Sequence, residues 1–258
     1  MDKKIRFKTI LWEILFPLFM YYMLFLCMIY LVFMLIGYSS YNYMIAQCIA
    51  AGITIPAVYF WAYRPTQKAF VEKTRLSKQT FMNIVYIAII TLIFSSAVNN
   101  LVSMSPLVDL SAGYEKANTD FFANTIVVEL IGSAILSPIM EELVFRGVIF
   151  ANLKKVTSVN MAIVVSSLLF GLVHFNVVQF LYAFILGIVL AMFMEKSGHV
   201  YAAIIGHIVA NALAVIRTET GFMKELVDRS LFAWSGSVVL MIMGIFMLTY
   251  YLKKVKIW

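Results

Sequence analysis

Ser137–Gly147, SPIMEELVFRG, is the stretch on which the reading of this chain turns. Its flanks are apolar in both directions, yet it contains Glu141, Glu142 and Arg146. A helix that carried this stretch through a bilayer would take three ionisable groups into hydrocarbon. Each costs at least ~2.5–3.5 kcal/mol near the bilayer centre, and groups that expensive mark intramembrane functional sites.

The rest of the chain agrees that hydrocarbon is the surroundings. Of 258 residues, 63% are hydrophobic and only 13% are charged, more apolar surface than a soluble domain of this size can bury. The apolar runs lack strand-like alternation, which argues against a barrel. There are 5 Pro and 12 Gly and no low-complexity tract, so residues 1–258 read as one membrane domain: an all-α, polytopic helical bundle. Cys27 and Cys48 both fall in apolar runs and read as small packing residues rather than a disulfide. The first residues, MDKKIRFKTILWEILF, have the basic start of a secretory signal. The apolar run continues to about Ile36 without a small-x-small cleavage site, so it reads as an uncleaved first span.

A crossing helix needs ~20 apolar residues. Eight segments qualify: 10–36, 41–63, 81–103, 124–152, 158–174, 177–195, 200–216 and 232–252. Only Phe175 and Asn176 separate the fifth from the sixth, which predicts a tight antiparallel pair. The net charge of +7 does not signal nucleic acid, because the basic residues cluster between apolar segments. With eight crossings, fifteen of the twenty Lys and Arg fall on one side, including Lys3, Lys4, Arg6, Lys8, Arg64, Lys68, Lys73, Arg75, Lys78 and Lys253, Lys254 and Lys256. Four fall on the other: Lys116, Arg217, Lys224 and Arg229. That bias puts both termini in the cytoplasm of a multi-pass cell-membrane protein. The outer loop 104–123 has room for a small surface element, and 217–230 for a short interfacial helix.

Three polar constellations stand out against the apolar background. Glu142 and Arg146, at i and i+4, face each other, which lowers the cost of both. Glu141 points about 100° away and lacks that partner. A carboxyl in so dry a place can accept and donate a proton. Pro138 cannot donate to the carbonyl of Ala134, which loosens the helix one turn before the acids. A helix-locking ion-pair network is the alternative reading for Glu142 and Arg146. The second constellation is Phe170-Gly-Leu-Val-His174, where Gly171 allows a neighbouring helix to approach and His174 can share a proton with a carboxylate. The third is His207-Ile-Val-Ala-Asn211, two hydrogen-bonding side chains on one helical face. Such a pair can donate to one developing oxyanion, or simply bond two helices together. His199 lies in a loop beside Lys196 and Ser197 and reads as interfacial.

The order E-E-x-x-x-R, F-x-x-x-H, H-x-x-x-N resembles the CPBP intramembrane proteases, also called the CAAX prenyl protease or Abi family. The likeness covers about residues 124–216 and holds at Glu141, Glu142, Arg146, Phe170, His174, His207 and Asn211. It implies an intramembrane endopeptidase acting on membrane-associated peptides. Glu141 and His174 would activate a water, His207 and Asn211 would hold the oxyanion, and Glu142 and Arg146 would fix the geometry. No cofactor is expected. The family has also been described as metal-dependent, and Glu141, His174 and His207 would then be the ligands of a zinc ion, although the sequence has no H-E-x-x-H. Bacterial relatives are linked to bacteriocin immunity or to maturation of secreted peptides. A proton-coupled transporter using Glu141 and His174 as a relay is the competing reading, disfavoured because spans one to three carry no echo of the polar residues. A catalytically silent membrane scaffold is the third. By helical rise, Glu141 lies roughly 15 Å, His174 ~24 Å and His207 ~10 Å from the inner ends of their helices. Tilt, a kink at Pro138 or shifted helix ends must reconcile those depths, and the cavity is expected to open towards the cytoplasm.

Overall fold

The fold comes from a computed structural model that describes residues 8–67 and 78–254. Lys3, Lys4, Arg6, Lys68, Lys73, Arg75 and Lys256, which contribute to the charge bias, lie outside the described residues. Among the described residues there is no strand. The long helices are α1 (Ile10–Ile36), α2 (Ser40–Gln67), α3 (Lys78–Ser103), α5 (Ile126–Val156), α7 (Val177–Ser197), α8 (Val200–Thr220) and α9 (Leu231–Lys254). Two shorter ones are α4 (Ala112–Phe121) and α6 (Val159–Leu172).

Local chemistry sets these boundaries. Ser39 Oγ, Ser158 Oγ and Asn176 Oδ1 accept backbone N–H bonds from Asn42, Met161 and Gln179 at the starts of α2, α6 and α7. Gly198 and Gly221 end α7 and α8 in the left-handed conformation (φ 72° and 67°), which a residue without Cβ adopts freely. α6 and α7 form the expected antiparallel hairpin. Their contact is close because a Cβ at Gly171 would stand 3.0 Å from the Phe180 carbonyl oxygen.

All eight apolar segments are helical, and the molecule is a polytopic helical bundle. Six of the helices are long and apolar enough to cross a membrane by themselves. The other two differ from expectation in instructive ways. α6 has only 14 residues, roughly 21 Å at ~1.5 Å each, so it stops short of a ~30 Å hydrocarbon layer. α5 carries the charges of the SPIMEELVFRG stretch and meets α4 at a bend of 111°. α1 and α9 lie at the periphery, with Met34 68% and Phe246 71% exposed, as lipid-facing side chains are. Ion pairs of Lys155 with Glu13 and of Lys154 with Glu195 tie the end of α5 to the start of α1 and the end of α7. Tyr251 near the end of α9 meets Phe193 near the end of α7, so the start of α1 and the end of α9 share one end of the bundle. Within the outer 217–230 stretch, Lys224–Val227 forms a single 3₁₀ turn. Tyr251, near the end of α9, is buried against Phe193 of α7 and Tyr86 of α3.

Candidate active site

α5 is not a uniform helix. Ser137–Val144 is α-helical, but Leu130–Leu136 and Phe145–Phe150 on either side have the wider π register. Such π segments recur at functional sites. Here the cause is local. In the π register the N–H of Ser137 bonds the carbonyl of Gly132. The carbonyl of Ser133 would then wait for the N–H of residue 138, and Pro138 has none. The orphaned carbonyl is thus that of Ser133, one residue from the expected Ala134. Asn211 of α8 fills the gap, its Nδ2 donating to the Ser133 carbonyl at 2.8 Å. An exposed backbone acceptor inside a membrane costs several kcal/mol unless it is satisfied, which explains why α8 supplies an amide there.

One turn further on, the acids meet the second half of the bundle. Glu142 and Arg146 have no exposed surface, and Arg146 NH1 donates to Glu142 Oε1 at 2.8 Å. Arg146 NH2 donates to the Gly187 carbonyl of α7 at 3.0 Å. Its guanidinium lies 4.5 Å from the centre of the Phe170 ring. Glu142 Oε1 takes a second bond from His207 Nδ1, also 2.8 Å. The ion pair read from sequence is therefore also a support for the α8 histidine. Because a carboxylate only accepts, Nδ1 carries a hydrogen and Nε2 is the ring atom left for other work. That Nε2 stands 3.8 Å from Glu141 Oε2.

His174 follows the last turn of α6, and its Nδ1 donates to the Phe170 carbonyl at 2.9 Å. Its Nε2 is consequently the acceptor of the neutral ring. Phe170, 1% exposed, is the hub: its ring meets His174 at 5.2 Å, His207 at 5.5 Å and Phe145 at 5.1 Å, all edge-on. The depths of Glu141 and His174 agree once the helix ends are fixed. Glu141 lies 15 residues before the end of α5 at Val156, and His174 lies 15 residues after the start of α6 at Val159.

Glu141, His174, His207 and Asn211 line one cavity of about 190 Å³, together with Gln47, Ser133, Ser137 and Phe170. Gln179 of α7 and Tyr114, Asn118 and Phe121 of α4 line it further out. These positions fall where α2, α5 and α7 begin and where α3 and α8 end, which is the end of the bundle away from both termini. The mouth and the terminal ends of α1 and α9 thus lie at opposite ends of the bundle, so the two expectations, cytoplasmic termini and a cytoplasmic opening, do not hold together. α4, which sequence left as a possible surface element, lies across that end. Ser40, Lys116 and Tyr38 hold its Asp120 at 2.7, 3.1 and 3.2 Å. Burial works to raise the Asp120 carboxyl, but the bonds from Ser40, Lys116 and Tyr38 together hold it below its ordinary value.

Zinc does not fit the donor geometry well. Among the described residues no three His, Cys, Asp or Glu side chains converge as a ligand set. Glu141, His174 and His207 share the cavity without forming one, although Nδ1 bonded to a carbonyl or carboxylate with Nε2 left over is also how metal-binding histidines are held.

Sequence periodicity identified the faces of α5, α6 and α8 but could not tell which faces meet. It missed the Glu142–His207 bond, the Ser133–Asn211 bond and the contributions of Gln47, Ser137 and α4. Only the proline offset pointed to Ser133, and only once the π register is known.

Comparison with known proteins converges on the same helices. Residues 123–213, which hold all six charged or polar motif residues, match the family described as Type II CAAX prenyl endopeptidase Rce1-like. A Bacillus subtilis (strain 168) protein named "Putative membrane peptidase YdiL" is 31% identical over 107 residues, 40% of this chain. The aligned stretch spans 44% of that relative, so the likeness concerns less than half of either protein. No solved structure matches the chain. On α5 to α8, the chain is therefore similar to CAAX-type membrane endopeptidases, the same likeness that the motif residues carry.

Proposed function

We propose that this chain is an intramembrane endopeptidase that hydrolyses peptide bonds of membrane-associated peptides or proteins with a water activated by Glu141 and His174. The observation that carries the reading is the shared cavity: Glu141, His174, His207 and Asn211 come from three separate parts of the chain and line one space. His174 Nε2 accepts one hydrogen of the water and orients it. The water oxygen attacks the peptide carbonyl carbon, and its proton passes to Glu141. The carbonyl oxygen becomes an oxyanion. His207 Nε2–H and the second N–H of Asn211 stabilise it, the first Asn211 N–H being held by Ser133. When the intermediate collapses, the C–N bond breaks and the Glu141 proton goes to the departing amine. The products are an amine and a carboxylic acid, which gives up the remaining water proton to the amine or to solvent, and no covalent intermediate forms.

Glu142 serves this cycle by holding His207 Nδ1–H, and Arg146 holds Glu142. One proton shared between Glu141 and His207 makes the group Glu141, Glu142, Arg146 and His207 electrically neutral, which suits its burial. The substrate reaches the cavity from the end opposite the termini. With the lysine-rich end in the cytoplasm, that is the outer side of the cell membrane. Maturation of secreted peptides or immunity to a bacteriocin fits such an orientation.

The test is cleavage of a library of membrane-bound peptides by the purified protein. Glu141→Gln and His174→Ala are each expected to lose about 10²–10⁴-fold in rate while remaining folded. Activity is expected to survive a strong zinc chelator. Cleavage that persists in Glu141→Gln removes Glu141 from the chemistry.

A further inference from the structure

Two polar side chains in the cavity have no task in the hydrolysis. Gln47 of α2 is 6% exposed, and its Oε1 has no protein partner. Ser137 of α5 is 4% exposed, and its Oγ also has none. Both line the cavity that holds Glu141. A buried polar atom without a partner is uncommon and calls for an explanation.

The lack of a partner at Ser137 has a structural cause. Serine in a helix ordinarily donates back to the carbonyl one turn earlier, as Ser133 does to Glu129 and Ser237 to Ala233. For Ser137 that carbonyl belongs to Ser133; it accepts from Asn211, and Ser137 Oγ makes no bond to it. The hydroxyl is left to the cavity, one helical turn from Glu141. Gln47 is brought to the same level by close packing of α2 on α5. A Cβ at Gly132 would collide with the Met44 and Cys48 side chains, the neighbours of Gln47 on α2. An amide oxygen seeks an N–H, and a hydroxyl can give an O–H to a carbonyl. Those two functions are the ones an extended peptide backbone presents. Beside them the walls are apolar, with Phe170, Val178 and Leu186.

We propose that Gln47 and Ser137 form a backbone-binding subsite for an extended peptide strand next to the scissile bond. Gln47 Oε1 accepts a substrate amide N–H, and Ser137 Oγ donates to a substrate carbonyl. The subsite takes uncharged, apolar side chains on either side of that amide. It rests on the endopeptidase reading for its position in the reaction, but its binding can be measured separately.

The experiment uses the full chain in nanodiscs and a library of peptides, each anchored by one apolar segment and varied in Ala, Val, Ser, Leu and Phe. Binding is measured in a Glu141→Gln background, and cleavage with Glu141 intact. For a peptide that binds, each backbone amide is methylated in turn. One methylated position is expected to weaken binding about fivefold, as loss of one hydrogen bond does. Gln47→Met should lose about the same and be indifferent to that methylation. Ser137→Ala should lose a further few-fold, and neither variant should lower the melting temperature. A purely structural role would lower the melting temperature and leave the methylation pattern intact, which overturns the subsite. Unchanged binding in Gln47→Met overturns it too, even if cleavage is robust, and so does failure of every peptide to bind. Binding with the expected Gln47 dependence but no cleavage upholds the subsite and sinks the endopeptidase reading.

Discussion

Arg146→Met tests the buried charge cluster. The substitution keeps an unbranched, apolar stem and deletes a guanidinium with three engagements: Glu142 at 2.8 Å, the Gly187 carbonyl at 3.0 Å and the Phe170 ring at 4.5 Å. Removing one member of a buried ion pair costs about 3–5 kcal/mol, mostly because the remaining charge is stranded. A desolvated cation–π contact adds about 2 kcal/mol. The contributions overlap on one side chain, so a net loss of about 4–5 kcal/mol is expected, a large share of the ~5–15 kcal/mol of a typical native state. Glu142→Gln combined with Arg146→Met should cost about 2–3 kcal/mol less than the two single losses added, because no charge is then left without its partner. Arg146→Lys should recover only part of the loss, since an ammonium cannot serve both acceptors in one plane while lying flat on the Phe170 ring. The assay is reversible unfolding in mixed micelles, followed by tryptophan fluorescence. A loss below about 1 kcal/mol for Arg146→Met, or strict additivity in the double variant, would refute the reasoning.

Two further outcomes follow from other parts of the site. Asn211→Ala leaves the Ser133 carbonyl without its donor and should cost about 1–3 kcal/mol. Adding Pro138→Ala returns an N–H in the π register of that carbonyl and should recover part of the loss in the same unfolding assay. The α4 clasp should respond to acid. Asp120 has a folded pKa below its ordinary 3.8, so its contribution is fully present above 3.8 and lost as pH falls below it through the folded value. Hydrogen-exchange protection in α4, taken against the intrinsic rate at each pH, should therefore hold from neutral pH down to the ordinary carboxylate range and fall below it. Asp120→Asn should show quick exchange already at neutral pH.

The bundle was legible because hydrocarbon imposes a simple rule: long apolar runs and lysine-rich ends suffice to find eight helices and to put both termini at one end. α4 was not, because a ten-residue polar helix containing Glu115, Lys116 and Asp120 carries no hydropathy signal. The short α6 was overestimated because Val173 carries the apolar run on to His174 after the helix has ended at Leu172. Within the site, i, i+4 spacing identified Glu142 with Arg146 and His207 with Asn211. It could not show that Glu142 and His207 meet across 65 positions, because helical period defines faces and not their partners. Pro138 was correctly marked as a disruption, but its effect moved to Ser133 because the helix register had widened. The end of the bundle at which the cavity opens was not legible for a related reason. Depth along single helices says little when α2, α4 and α7 build the mouth.

The most direct test of the central claim is a double-variant cycle on cleavage rate with Glu141→Gln, His174→Ala and the two together. If both side chains act on one water, the double variant should be about as slow as the slower single variant, since the second loss has nothing left to remove. Independent, multiplying losses, or substantial cleavage in either single variant, would contradict the account.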